Sequence, residues 1–247
     1  MKTFSLSSDS VSIGYVDDVV HLVAAKTEGE TRFRVGRWGT HSLEWGTKFG
    51  ALFDKKKAQF LWLTRRVHSN LPLKFGDQLL KPAEHVKWLG TLIDNKLTYT
   101  ANFASLEQKV AGTINQLRRL GNSRWGLRER ARVKLMEAVL MPRIAYGAPV
   151  WATIQNKSKS LRLAEKADNL AAIYTLGTFR STPLSWHKNR SAVNRTMSII
   201  QASVLSFFSR KLTRIQAVNR IQEELASRGV GRFAWLGNHL PMVHDLL

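Results

Sequence analysis

The chain has 247 residues, 44% of them hydrophobic, enough for one large domain or two modest ones with a buried core. Its 38 Lys and Arg against 18 Asp and Glu give a net charge of +20, which points to a polyanion partner, most simply nucleic acid. Zero cysteines exclude disulfides and thiolate metal sites, no apolar run approaches the roughly 18 residues of a membrane span, and no signal-peptide core is visible, which leaves nucleus and cytoplasm open.

In chain order, the first informative stretch is Ser12 to Val23. Two apolar, β-branched runs flank a single polar break, the pattern of two strands meeting at a tight turn. Ile13 to Val16 enter, Asp17 and Asp18 occupy the tip, and Val19 to Val23 leave. Two adjacent carboxylates repel unless a cation lies between them. Oxygen donors with no thiolate nearby favour Mg²⁺ over zinc. The alternative is an ordinary Asp-Asp surface turn, since Asp is common in turns for its own local hydrogen bonds.

From Thr27 to Gly50, Val35, Trp38, Trp45 and Phe49 recur at spacings of 3, 7 and 4, which predicts a helix with these residues near one face. Five glycines in the same stretch mean that packing rather than propensity must hold it. Lys55-Lys56-Lys57 then leads into an expected strand, Gln59 to Thr64. A hairpin follows, pairing Leu73-Lys74-Phe75 with Gln78-Leu79-Leu80 through Gly76-Asp77. His85 to Asp94 reads as one further strand, with Gly90 as a bulge or close approach.

At Leu97 the period changes from 2 to 3.6. Phe103, Leu106, Val110, Ile114, Leu117 and Leu120 form an apolar stripe that Gly121 is placed to end. A second helix is expected from about Leu127 to Leu140, kinked or stopped by Pro142. A third covers Ser158 to Leu176, closed by Gly177, and a fourth runs from Asn194 to Arg228. The fold class is therefore α+β: a small antiparallel sheet with one packed helix, followed by a mainly helical region, the change falling near residues 95–100.

Between the first two of these later helices lie Arg118, Arg119, Arg124, Arg128, Arg130, Arg132 and Lys134, with Trp125 among them and Glu129 the single acid. Guanidinium groups neutralise phosphates and an indole stacks on bases, so this is a candidate nucleic-acid surface. The alternative is a solvated helix face with Trp125 plugging a corner.

Together these stretches resemble a reverse transcriptase of the non-LTR retrotransposons, over about residues 11–186. Gly14-Tyr15-Val16-Asp17-Asp18-Val19-Val20 is similar to the family's YxDD box. Lys55 to Lys57 before Phe60-Leu61-Trp62 resembles its lysine segment, and Lys87-Trp88-Leu89-Gly90-Thr91-Leu92-Ile93-Asp94 its K-x-LG-x-x-x-D signature. Leu97-Thr98-Tyr99 with the long helix, and Ala145-Tyr146-Gly147-Ala148-Pro149-Val150-Trp151, resemble its thumb. Leu176 to Leu184 is similar to the connector that follows.

The resemblance implies a partial palm over 1–96, a helical thumb over 97–156 and a helical connector and C-terminal region over 157–247. It implies two-metal nucleotidyl transfer with Mg²⁺ or Mn²⁺ on Asp17 and, in support, Asp18. Lys56 would stabilise the pyrophosphate, Tyr15 would pack beside the primer terminus, and Trp88, Leu89 and Gly90 would grip the primer. The implied partners are an RNA template and a DNA primer, with no membrane. The family's third carboxylate, on an earlier palm strand, and its fingers have no match among the residues before Tyr15. No endonuclease or RNase H constellation is visible. The expectation is a C-terminal fragment, inactive without the missing N-terminal polymerase half. The alternative is a basic helical nucleic-acid-binding module without chemistry.

Overall fold

The computed structural model describes residues 2–7, 10–64, 69–120, 126–183, 185–187 and 195–227, by backbone alone at 2–7, 214–215 and 217–227. The fold is α+β, in two compact units, Met1–Asn102 and Phe103–Leu247.

The first unit is built on a three-stranded antiparallel sheet of β1 (Lys2–Ser7), β2 (Ser10–Tyr15) and β3 (Asp18–Val23), in that spatial order. The β2–β3 register runs from Ser10 opposite Val23 to Tyr15 opposite Asp18. Strand alternation therefore puts Ser10, Ser12, Gly14, Val19, His21 and Val23 on one face. Val11, Ile13, Tyr15, Asp18, Val20 and Leu22 share the other. The helix α1 (Glu28–Phe49) lies on the polar face, where Ser10 and Ser12 are buried. His21 gives the buried Ser12 hydroxyl its partner. Its Nδ1 is 2.5 Å from Ser12 Oγ, its Nε2 is 2.8 Å from Ser42 Oγ on α1, and its ring stacks on Trp38 at 5.3 Å.

Thr27 caps α1 by accepting from the Glu30 amide, and Gly50, at φ 73°, ends it in the left-handed region. The expected apolar stripe is only half right. Val35 packs on the core cluster Phe60, Trp62 and Leu73, but Trp45 and Phe49 are exposed and lean on each other at 5.2 Å. The close contacts fall instead on Gly39 and Gly46. A Cβ at Gly39 would stand 2.5 Å from Phe75 Cδ2, and one at Gly46 2.4 Å from the Ala51 carbonyl oxygen. The helix approaches its neighbours by backbone, so bulky residues are turned away.

Gln59 to Thr64 is not a strand. Phe60 and Trp62 are buried, as alternation predicts, but the backbone makes a single bridge, Phe60 to Pro82. Pro82 has no N–H with which to continue a ladder. The expected hairpin forms as β4 (Leu73–Phe75) and β5 (Gln78–Leu80). The expected single strand at 85–94 is a second hairpin, β6 (His85–Trp88) with β7 (Thr91–Asp94). Leu89 at φ 44° and Gly90 at φ 81° form its two-residue turn, a geometry that requires positive φ at both positions. Asp94 then organises the exit: Oδ1 accepts from the amides of Lys96 and Thr98, and Oδ2 from the Thr98 hydroxyl.

Helix α2 (Thr100–Arg118) buries Phe103, Leu106, Val110, Ile114 and Leu117 as its stripe predicts, while Leu120 is exposed and Gly121 lies outside the described residues. Pro142 does not stop the next helix. Between α3 (Glu129–Leu135) and α4 (Met141–Ala145), Met136–Leu140 widen into a π turn, which shifts the hydrogen-bond register ahead of the proline. α5 (Ala148–Trp151) and α6 (Lys157–Leu176) follow, the latter ended by left-handed Gly177. α7 (Thr196–Ser227) packs on α4, α5 and α6. The core of this unit holds Met136, Leu140, Ile144, Trp151, Leu163 and Ile200, all essentially buried.

Two expected outcomes follow from the first unit. Gly46→Ala forces a methyl into a backbone carbonyl, so it should lower stability by about 1–3 kcal/mol in urea unfolding despite the better helix propensity of Ala. Burial, and then the neighbouring His41, hold the His21 pKa below its ordinary 6.5. The unfolded chain thus binds more protons just below that value. Stability should be full above pH 6.5 and fall as pH drops through the folded pKa, and His21→Gln should flatten that slope.

Candidate active site and nucleic-acid interface

The carboxylate hairpin turns one residue earlier than the sequence suggests. Its loop is Val16-Asp17, and Asp18 is already the first residue of β3, paired with Tyr15. Val16 has φ 54° while Asp17 does not share a positive φ, the pattern of a turn whose first loop position normally holds glycine. A β-branched residue there is strained, and Val16 is 93% exposed. Asp17, Asp18 and Tyr15 are all exposed at this tip. Asp18 and Tyr15 share the face that α1 does not cover.

Among the described residues no group of three His, Asp or Glu side chains could hold a metal. Two exposed carboxylates would hold a hard divalent cation such as Mg²⁺ only with further oxygen ligands from outside the hairpin. The donor set does not make a closed protein cage.

The lysine triplet is a short 3₁₀ turn, Lys55–Lys57, capped by Asp54. Lys55 Nζ lies 2.6 Å from Asp77, whose carboxyl it holds below the usual range, and Lys57 lies 3.7 Å from Asp54. Lys56 is exposed and makes no ion pair among the described residues. Two of the three lysines therefore serve the local fold.

Trp88 is half-buried and its indole N–H has no hydrogen-bond partner among the described residues. Leu89 and Gly90 are the β6–β7 turn itself, with Gly90 exposed. Sequence reasoning gave Asp94 no separate role, though Asp-Asn-Lys is a recognisable side-chain-capped turn. It supports Leu97 and Tyr99, both at positive φ, immediately before α2. Burial and the charge of Asp94 push the Tyr99 phenol pKa up.

The basic cluster divides. Arg119, Arg128, Arg130 and Lys134 are exposed and Arg118 is half-buried, while Arg124 and Trp125 lie outside the described residues. Arg130 and Lys134, four residues apart, share one outward face of α3. Arg132 differs: it is 6% exposed, its Nη2 donates to the Thr175 carbonyl at 2.7 Å, and its guanidinium sits over the Tyr174 ring. Helical phase explains this, because Arg132 falls in line with buried Met136 and Leu140. It is not available to a phosphate backbone. Sequence reasoning also missed a groove between α2 and α4, lined in part by Lys109, Thr113, Gln116 and Arg143. The spacing of Lys109, Thr113 and Gln116 on the side of α2 away from much of its apolar stripe was the available signal.

Among known proteins the chain is similar to those of type-1 retrotransposable elements. It is 26% identical over 155 residues to the 115 kDa protein in type-1 retrotransposable element R1DM of Drosophila melanogaster, covering 61% of this chain and 15% of that protein. It is 23% identical over 172 residues to the retrovirus-related Pol polyprotein from type-1 retrotransposable element R1 of Nasonia vitripennis, covering 66% and 50%. A further Nasonia vitripennis Pol polyprotein, from element R1 2, is 26% identical over 157 residues, covering 59% and 37%. No family model matches the chain, and no solved structure does. The chain spans at most half the length of these curated relatives, and its likeness is to retrotransposon proteins over about three-fifths to two-thirds of its own length.

Proposed function

We propose that this chain is the palm-and-thumb portion of a reverse transcriptase from a non-LTR retrotransposon. The observation that carries the reading is the exposed Asp17–Asp18 pair on a strained hairpin, in a chain similar to R1 Pol polyproteins. On this reading residues 1–96 are a partial palm, 97–156 the thumb and 157–247 the connector and C-terminal region. The substrates are nucleic acids, an RNA template and a DNA primer.

Asp17 is the principal ligand and Asp18 the supporting ligand for Mg²⁺ or Mn²⁺, which supplies charge neutralisation to the phosphoryl group in transfer. Tyr15, on the same face as Asp18, packs beside the primer terminus. Lys56, the one lysine of the triplet without an acidic partner among the described residues, serves the leaving pyrophosphate. Trp88, Leu89 and Gly90 hold the primer backbone. Two carboxylates position a metal weakly, so the chain needs the N-terminal polymerase half to act. The exposed Arg119, Arg128, Arg130 and Lys134, with half-buried Arg118, favour a second reading, a basic helical module that binds nucleic acid without chemistry.

Mn²⁺ titration followed by NMR line broadening separates the two. The first reading expects selective broadening at the amides of residues 15–19, lost in Asp17→Asn. Its absence, with nucleic-acid binding intact, selects the second. Primer extension by the isolated 247-residue chain should give no incorporation, and robust incorporation would refute the requirement for a missing half.

A further inference from the structure

Helices α2 and α4 leave an open groove of about 610 Å³ between them, the size range of a ligand site. Lys109, Gly112, Thr113 and Gln116 come from one wall, Pro142, Arg143 and Tyr146 from the other. The floor is fixed: Arg143 Nη1 donates to Thr113 Oγ1 at 2.9 Å, and Thr113 Oγ1 donates to the Lys109 carbonyl. Neither Lys109 nor Arg143 is paired with an acid among the described residues. Two cations thus line one opening without an ion pair among the described residues.

Tyr146 stands at the rim, 59% exposed, and its position is held from beneath. The indole N–H of Trp151, a fully buried residue, donates to the Tyr146 carbonyl at 3.0 Å, and Gly147 turns the chain with φ 69°. An exposed aromatic on so rigid a backbone loses little freedom when something stacks on it. Gly112 completes the wall. Among the described residues nothing lies within 4 Å of a Cβ built there, so a ligand backbone can approach the helix closely.

We propose that this groove binds a single unpaired nucleotide of a nucleic-acid strand, its base stacked on Tyr146 and its flanking phosphates held by Lys109 and Arg143. The inference rests on the nucleic-acid part of the reading above but needs neither the metal hairpin nor polymerase activity. An aromatic face beside two cations suits an unstacked base on a charged backbone, whereas a closed duplex offers no free base face. The site is distinct from the outward face of α3 that carries Arg130 and Lys134.

The test is fluorescence anisotropy of the full chain with a labelled oligothymidylate and with a perfect duplex of equal length. Tyr146→Ala should weaken single-strand binding about tenfold and leave duplex binding within about twofold, while Tyr146→Phe keeps both. Lys109→Ala should reduce the salt slope for the single strand by about one. Gly112→Glu places an anion in the groove, has room for its side chain and improves helix propensity, so it should lower single-strand affinity without lowering the melting temperature. The groove proposal is overturned if Tyr146→Ala and Gly112→Glu both bind the single strand as wild type does. It is overturned equally if they lose single strand and duplex alike. If the wild-type chain binds neither probe, the nucleic-acid reading itself falls. If Arg130→Ala with Lys134→Ala weakens binding but the groove variants do not, only the groove is refuted.

Discussion

The first unit depends on one imidazole. β2 and β3 bury their polar face and not their apolar one, and a buried hydroxyl without a partner would oppose folding. His21 resolves this by spending both ring nitrogens, one on Ser12 within the sheet and one on Ser42 of α1, with Trp38 stacked on its ring. A shift of α1 by one residue would lose the Ser42 contact and bring a different side chain over the ring. The consequence is on the opposite face. Val11, Ile13, Val20 and Leu22 remain half-exposed or exposed there, with Tyr15 and Asp18 at their end. A solvated aspartate turn needs no such apolar strip beside it, whereas a surface meant to be covered does. The inverted burial leaves Tyr15 and Asp18 at the end of an apolar strip that α1 does not cover.

Backbone strain falls in the turns and joints of the same unit. The non-glycine residues at positive φ are Val16, Leu89, Leu97 and Tyr99 among the described residues. Val16 lies within the YxDD-like box, Leu89 within the LG-like box, and Leu97 and Tyr99 within the segment joining that box to α2. Such conformations persist only where surrounding contacts over-determine them. Asp94 does so for the last two, with three hydrogen bonds into the Lys96–Thr98 loop. The D of that signature is thus a brace for the entry to α2 and need not touch any ligand.

Much of this was legible before any coordinates, and the misses share a cause. The hairpin, α1, the β4–β5 turn, the α2 stripe and the Gly177 stop each follow from local periodicity or a terminal residue whose effect is local. What failed depended on a distant partner. Trp45 and Phe49 fit the α1 stripe, but Phe75 and the Ala51 carbonyl occupy the space against glycines that periodicity counts as gaps. Gln59 to Thr64 alternates like a strand and is denied a ladder by a proline some twenty positions later. The 85–94 segment divides because Leu89 accepts a positive φ that its side chain disfavours, which no pattern count anticipates. At the site, residue types indicated carboxylates, lysines and arginines, but only the fold says which lysine is already paired.

Arg132 carries that point to the charge itself. A net of +20 describes a chain, while binding is done by surfaces. Arg132 turns inward because α3 offers it the same phase as Met136 and Leu140, and the end of α6 receives it. Thr175 supplies a carbonyl from the last turn of that helix, where the backbone dipole is negative, and Tyr174 supplies a ring face. Among the described residues the guanidinium is thereby held without a carboxylate. Arg130 and Lys134, two residues away on either side, point the other way for the same geometric reason. A basic run on a helix therefore separates into structural and interacting cations at a period of 3.6, so the electrostatic footprint must be assigned face by face.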